Sequence, residues 1–284
     1  MRILHLSDTH IQGVDGPDRR GVDPTASLRL MLAELRHQRD VDAVVVTGDL
    51  ADDGSVAAYA IVRELVGDFA RSLGAPVFYT TGNHDERSAF TKVLGVGHPA
   101  AVRAFPGAER AAVSSVGGWR LVTLDSLVPG EVYGRVGAAQ LEWLREVLAV
   151  PAGCGTVLAF HHPPVGLAVS ATQQVFGLRD PGELAAVIRG SDVRVLLTGH
   201  YHLQLCGFLA AVPVWVTPGV VNRIDLTTAP GTERAVRGAS ASLVELGGQD
   251  GPMFHTFHAR DPRAHETVYE LDEERTREII ARHG

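Results

Sequence analysis

A chain of 284 residues, 45% hydrophobic and 21% charged, can bury one large core, which excludes a short disulfide-stapled scaffold and an extended polar chain. A formal charge of −7 argues against broad attraction to nucleic acid, whose affinity rests on lysine and arginine neutralising phosphates. The N-terminus runs straight into strand material, no apolar run reaches membrane-spanning length, and Cys154 and Cys206 read as reduced thiols, so the expectation is a cytoplasmic protein with no transmembrane segment.

Apolar runs rich in Val, Leu and Ile at residues 3–6, 43–46, 77–79, 121–124, 157–160, 193–197 and 214–216 have strand length and the continuous hydrophobicity of strands buried on both faces. Between the early runs lie helical patterns, residues 25–38 with Leu28, Met31, Leu32 and Leu35 on one face and residues 56–73 with Ile61, Leu65 and Phe69. The first third of the chain therefore reads β-α-β-α-β. Further helices are predicted over 138–148, where Leu141, Leu144 and Leu148 follow helical spacing, and over 181–188, which opens on Pro181. After Thr217, short alternating segments at 241–246 and 253–258 predict antiparallel hairpins that complete a second sheet and one wall of a cleft. Residues 271–282 carry a Glu- and Arg-rich pattern, read as a surface helix packed on the body. No repeat or linker separates an independent unit, so residues 1–284 are expected to form one domain, with 218–284 as its C-terminal hairpins and tail helix.

Five polar clusters follow directly after apolar runs: Asp8-Thr9-His10, Gly48-Asp49, Gly82-Asn83-His84-Asp85, His161-His162-Pro163 and Gly199-His200-Tyr201-His202. Carboxylates, an amide and imidazoles thus gather where strands end, the place where open α/β sheets bind ligands. One Asp or His after a strand is most often a loop cap; five ordered clusters point to a dinuclear metal site. Asp8 and His10 lie two apart, so an extended backbone would point both the same way, and His200 and His202 repeat that spacing. Carboxylate, amide and imidazole donors without thiolate suit two divalent ions among Mn, Fe, Co and Zn. Ions roughly 3.5 to 4 Å apart need a shared ligand, and Asp49, after a strand and a glycine, is the natural bridge.

In this order the clusters resemble the signature of the calcineurin-like metallophosphoesterase superfamily, D-x-H, G-D, G-N-H-D/E, H-x-P and G-H-x-H. Ser7-Asp8-Thr9-His10, Thr47-Gly48-Asp49-Leu50-Ala51-Asp52, Gly82-Asn83-His84-Asp85 and His161-His162-Pro163-Pro164 are similar to the bacterial class III cyclic nucleotide phosphodiesterases, and the stretches Leu178-Arg179-Asp180 and Arg189-Gly190-Ser191-Asp192-Val193-Arg194 to their mycobacterial-type members. The resemblance fades beyond about Thr217. It implies a four-layer α/β/β/α sandwich of two mixed sheets, one metal on Asp8, His10, Asp49 and His202, and a second on Asp49, Asn83, His161 and His200. It further implies attack by a metal-bridging hydroxide on 3′,5′-cyclic nucleotides such as cAMP, giving 5′-nucleotides. His84 takes the family's acid position at the leaving oxygen, and Asp52 orients it.

Other assignments stay open at this level. The H-x-P spacing favours His161 over His162 as ligand. His5 reads as a core histidine, His98, His255, His258, His265 and His283 as surface or structural groups, and Asp125 as a cap. Tyr133 and Phe176 are candidates to stack on a base or ribose at the rim, or simply to pack. The same core chemistry serves 2′,3′-cyclic nucleotides and glycerophosphodiesters. A nuclease lacks its basic stripe here, and a non-catalytic binding module would have lost ligands that this chain retains. The expected partner is a small-molecule phosphodiester, with a homodimer as the expected assembly and no stable nucleic acid.

Overall fold

The computed structural model describes residues 1–283. In chain order it begins with β1 (Arg2–Leu6), α1 (Pro24–Leu35), β2 (Ala43–Thr47), α2 (Val56–Leu73), β3 (Val77–Thr80) and α3 (Arg87–Leu94). There follow β4 (Arg103–Ala104), β5 (Ala112–Val116), β6 (Trp119–Thr123), α4 (Ala138–Leu148), β7 (Gly155–Ala159), α5 (Ala171–Phe176), α6 (Pro181–Ile188), β8 (Val193–Thr198), β9 (Leu205–Leu209) and β10 (Val212–Val216). The C-terminal part holds β11 (Arg223–Asp225), β12 (Glu233–Val236), β13 (Ser240–Glu245), β14 (Met253–His258), β15 (Thr267–Leu271) and α7 (Glu273–His283).

Local signals set the helix starts. The Asp23 side chain accepts from the Ala26 amide with Pro24 in the first turn of α1, and Ser55 does the same for α2, which stops at Gly74 in the left-handed region (φ 71°). The first helix ends at Leu35, short of the expected 38. In α2 the buried stripe is Tyr59, Val62, Val66 and Phe69, with Ile61 and Leu65 flanking it, a rotation of the predicted face by about one residue.

Two large sheets form, in strand order β14-β13-β1-β2-β3 and β4-β5-β6-β7-β8-β10-β9. Ile3, Val45 and Phe78 from the first meet Leu121, Val157, Val195 and Trp215 from the second in a shared apolar layer. The outer face of the first sheet packs on α1 and α2 through Leu4, Val46, Leu28 and Val62, and that of the second on α4 and α6 through Leu158, Leu196, Leu144 and Leu184. This is the four-layer α/β/β/α sandwich. No described helix is long and apolar enough to cross a membrane.

The C-terminal hairpin differs from expectation. Instead of completing the second sheet, β13 pairs antiparallel with β1 (Ile3↔Val244) and carries β14 on its far edge, extending the first sheet. Its alternation sends Val244 and Leu246 into the layer between the sheets and Ala241 toward the helices. The segment's own pattern cannot say which free edge it will join. The expected wall of the cleft comes from a separate three-stranded sheet, β11-β12-β15.

His98 is structural. It is buried, with Nδ1 2.8 Å from Ser114 Oγ, Nε2 2.8 Å from Thr123 Oγ1, and the Phe78 ring edge-on at 5.0 Å. Burial pushes its pKa down to about 3. A folded value below the unfolded value of about 6.5 means that this contribution to stability is complete above pH 6.5 and is lost as pH falls toward 3, at up to about 1.4 kcal/mol per pH unit. Urea unfolding at pH 7 and pH 5 is expected to show a smaller acid-side loss in His98→Gln than in wild type. Equal losses in the two proteins would refute the assignment.

Candidate metal centre

Strands β1, β2 and β3 run parallel, as do β6, β7 and β8. The loops leaving their carboxyl ends bring Asp8, His10, Asp49, Asn83, His84, His161, His200 and His202 to one junction. The backbone there is not extended, as the two-residue spacing had implied. Asp8, His10, Asp49, His200 and His202 all lie in the left-handed region, with φ of 57°, 47°, 47°, 68° and 50°. Non-glycine residues enter that region at a cost of roughly 1–2 kcal/mol each, so the surrounding contacts must hold them. They do: the Asp8 amide donates to Gly48 O (3.1 Å), the His10 amide to Asp49 O (2.9 Å) and the His200 amide to Asp8 Oδ2 (3.0 Å). Two glycines are required by close approach, since a Cβ on Gly82 would collide with Asp49 and one on Gly199 with Ser7 Oγ.

Asp8 and Asp49 are buried and face imidazoles. Asp8 Oδ1 is 3.3 Å from His202 Nε2 and 3.9 Å from His161 Nε2; Asp49 Oδ2 is 3.3 Å from His161 Nε2 and 3.6 Å from His10 Nε2. Burial alone would raise both carboxyls, but His202 and His161 hold Asp8, and His161 and His84 hold Asp49, well below the usual range. The far nitrogens are anchored: His10 Nδ1 lies 3.0 Å from Asp52 Oδ1, His161 Nδ1 2.7 Å from Thr47 O, and His202 Nδ1 2.7 Å from Asn222 Oδ1. Imidazoles fixed on one nitrogen present the other inward, as metal-binding histidines do.

What the inward atoms meet tests the fit. Asp8 Oδ1, His10 Nε2, Asn83 Oδ1 and His200 Nε2 are buried with no hydrogen-bond partner, and His200 Nδ1 faces His161 Nε2 at 3.2 Å. Leaving such groups unsatisfied costs about 1–3 kcal/mol each. The candidate ligand atoms of Asp8, His10 and His202 lie within 4.8 Å of one another, as do those of Asp8, Asp49 and His161. Oxygen and imidazole donors at these separations fit divalent cations and supply what the orphaned atoms lack.

His84 stands beside this group. Its amide donates to Asp49 Oδ1 (2.9 Å) and its Nδ1 lies 3.2 Å from Asp52 Oδ1, so one Asp52 oxygen serves both His84 and His10. Burial lowers the His84 pKa, but the Asp49 charge and the Asp52 hydrogen bond outweigh it and bring it up to about 9. The two histidines meet edge to face, their centroids 4.7 Å apart.

Asp85 has a role that the sequence did not reveal. Buried, it accepts from the amides of Gly82 (2.8 Å), Leu50 (3.2 Å) and Ala51 (3.1 Å) and from the Tyr59 hydroxyl (2.9 Å). It thereby ties the loop of Asn83 to that of Asp49. Its place in the Gly82–Asp85 run was the only signal; Asn222, which fixes His202, lay in no cluster at all.

The remaining candidates separate. His161 lies against the carboxylates, while the buried His162 is bound through Nδ1 to Ser126 Oγ (2.8 Å) and keeps Nε2 without a partner, at ligand spacing from His161 and His200. His5 is a buried core group on Thr47 Oγ1 (2.8 Å). Asp125 is held by a two-pronged contact from Arg87 (2.7 and 2.9 Å) and the Arg110 amide, a structural role. A cleft of about 560 Å³ opens over His10, Asp49, Asn83, His84, His200 and His202. Phe176 lines it, 6.1 Å from the His200 ring. Tyr133 does not: its ring lies under the Arg179 guanidinium (4.6 Å) in a separate depression beside α7.

Residues 1–204 match the family model described as calcineurin-like phosphoesterase. The chain is 40% identical over 238 residues to a cAMP/cGMP dual specificity phosphodiesterase of Mycobacterium tuberculosis, covering 84% of this chain and 73% of the relative. It is 36% identical over 208 residues to the 3′,5′-cyclic adenosine monophosphate phosphodiesterase CpdA of Escherichia coli, covering 72% and 70%. In fold it is similar to a dimetal phosphatase from Danio rerio, with a TM-score of 0.59 at 16% identity over 91% of this chain and 99% of the other. With the five clusters convergent at one junction and the family model spanning all of them, the chain belongs to the calcineurin-like phosphoesterase family.

Proposed function

We propose that this chain hydrolyses 3′,5′-cyclic nucleotides, cAMP among them, to 5′-nucleotides. One metal would be held by Asp8, His10, Asp49 and His202 and the other by Asp49, Asn83, His161 and His200. The observation that carries the proposal is the complete set of these side chains, with His84 beside them, in a chain 36–40% identical to relatives named as cyclic nucleotide phosphodiesterases. The cleft is large enough to take a mononucleotide.

Two divalent cations supply Lewis acidity toward the phosphoryl oxygens and an activated water at neutral pH. The chain's own residues do the rest. Asp49 reaches both imidazole groups, with His10 and His161 at 3.6 and 3.3 Å, which supports its role as the shared ligand. Asp52 aims His10 and His84 at once. His84 lines the cleft beside Asp49 and Asp52 and would give a proton to the ribose 3′ oxygen as its bond to phosphorus breaks. The Asp52 carboxylate, 3.2 Å from His84 Nδ1, favours the protonated imidazole.

His84→Ala is expected to lower kcat on 3′,5′-cAMP by roughly 10²- to 10⁴-fold with metal content retained, and to lower kcat on bis(p-nitrophenyl) phosphate far less, because p-nitrophenolate leaves without a proton. Equal losses on the two substrates would argue against the proton-donor role. Dialysis against a chelator is expected to abolish turnover of 3′,5′-cAMP and to lower Tm, with Mn²⁺ restoring both, because ions bound only by the folded chain stabilise it. A Tm indifferent to chelation and to Mn²⁺ would count against the metal centre. Assayed beside 2′,3′-cAMP, preference for the 3′,5′ isomer supports the proposed substrate, and preference for the other discards it.

A further inference from the structure

One wall of the cleft lies outside the metal centre, on the small sheet β11-β12-β15. Ile224 pairs with Ala235 and Ala235 with Tyr269, so these three side chains share a face, and Glu233, two residues from Ala235, shares it too. Ile224, Glu233 and Tyr269 all line the cleft. The Arg20 guanidinium stacks over the Tyr269 ring at 4.3 Å. The Glu233 carboxylate is aimed by two hydroxyls: Tyr269 donates to Oε1 (3.1 Å) and Thr172 donates to Oε2 (2.8 Å). It belongs to none of the side-chain groups with metal-ligand spacing, and among the described residues no cation is paired with it.

A carboxylate oxygen has two acceptor sites, so one hydroxyl on each leaves Glu233 one further acceptor site on each oxygen. Uncharged donors orient it without neutralising it. What such a group selects is a planar edge carrying two adjacent N–H donors, bound through two parallel charge-assisted hydrogen bonds. Guanine has that edge in N1–H and its 2-amino group. Adenine sets one amino donor beside the N1 lone pair, which would face the second carboxylate oxygen and be repelled. The Arg20 plane and the Phe176 ring, both lining the cleft, are surfaces on which a base can stack.

We propose that Glu233, positioned by Tyr269 and Thr172, reads the base of the nucleotide and favours guanine over adenine, an inference that rests on the proposed reading of this cleft as a cyclic nucleotide site. Calorimetric titration of metal-loaded protein with GMP and with AMP tests it in wild type, Glu233→Gln and Tyr269→Phe, with turnover of cGMP and cAMP measured in parallel. Wild type is expected to bind GMP about tenfold or more tightly than AMP. The preference should collapse in Glu233→Gln, where one acceptor becomes a donor of the same shape, and fall part of the way in Tyr269→Phe. Equal affinities in wild type, or a preference that survives Glu233→Gln in protein with full metal content, would overturn it. Guanine preference in binding without turnover of either cyclic nucleotide would uphold the base site and strike down the proposed activity.

Discussion

Asp8 and Asp49 are buried where the ends of two sheets meet, and the molecule is organised around the need to compensate them. Like charges within 4.8 Å repel by roughly 3 kcal/mol even at an effective dielectric of 20, before any loss of hydration. Imidazoles alone answer this imperfectly, since a histidine that becomes cationic beside one carboxylate depresses its neighbours. His161 is brought up to about 9 while His200, against it, is pushed down to about 3, by burial first and then by the His161 charge. Divalent cations would meet the same demand without that conflict, and would also satisfy the orphaned atoms of Asp8, His10 and Asn83.

Holding such a centre costs backbone strain, which the next layer of contacts absorbs. Five candidate ligands sit in the left-handed region, and the loops that carry them are tied together by groups that touch no candidate metal position. Asp85 ties the loop after β3 to the loop after β2; Thr47 O and Asn222 fix the rings of His161 and His202. Asp52 couples the orientation of a candidate ligand, His10, to that of the proposed proton donor, His84, through one oxygen. The orientations of the two rings are therefore not independent.

The parallel strands supply the floor of the cleft, while the small C-terminal sheet supplies a wall. The contact of α7 with α5 brings the end of the chain near the rim, where the His283 and Phe176 rings stand 6.3 Å apart. The candidate ligands thus sit on the sheet core, and much of the rest of the cleft lining comes from the loop before α1, from α5 and from the small C-terminal sheet.

The β-α alternation, the α4 face and the five clusters were legible in the sequence because each rests on local periodicity or on short runs of rare side chains. Harder to read were α3, only eight residues long, the hairpin's choice of the β1 edge, and Tyr133, whose neighbours are set by Arg179 and α7. By itself the sequence determined which donor atoms exist, in what order, and that they follow buried strands. Only the tertiary structure decided that Asp85 and Asn222 fix the loops and rings of the centre, that its candidate ligands stand in left-handed turns, and that Glu233 lines the cleft, because these depend on contacts between segments far apart in the chain, whose encounter no local pattern encodes.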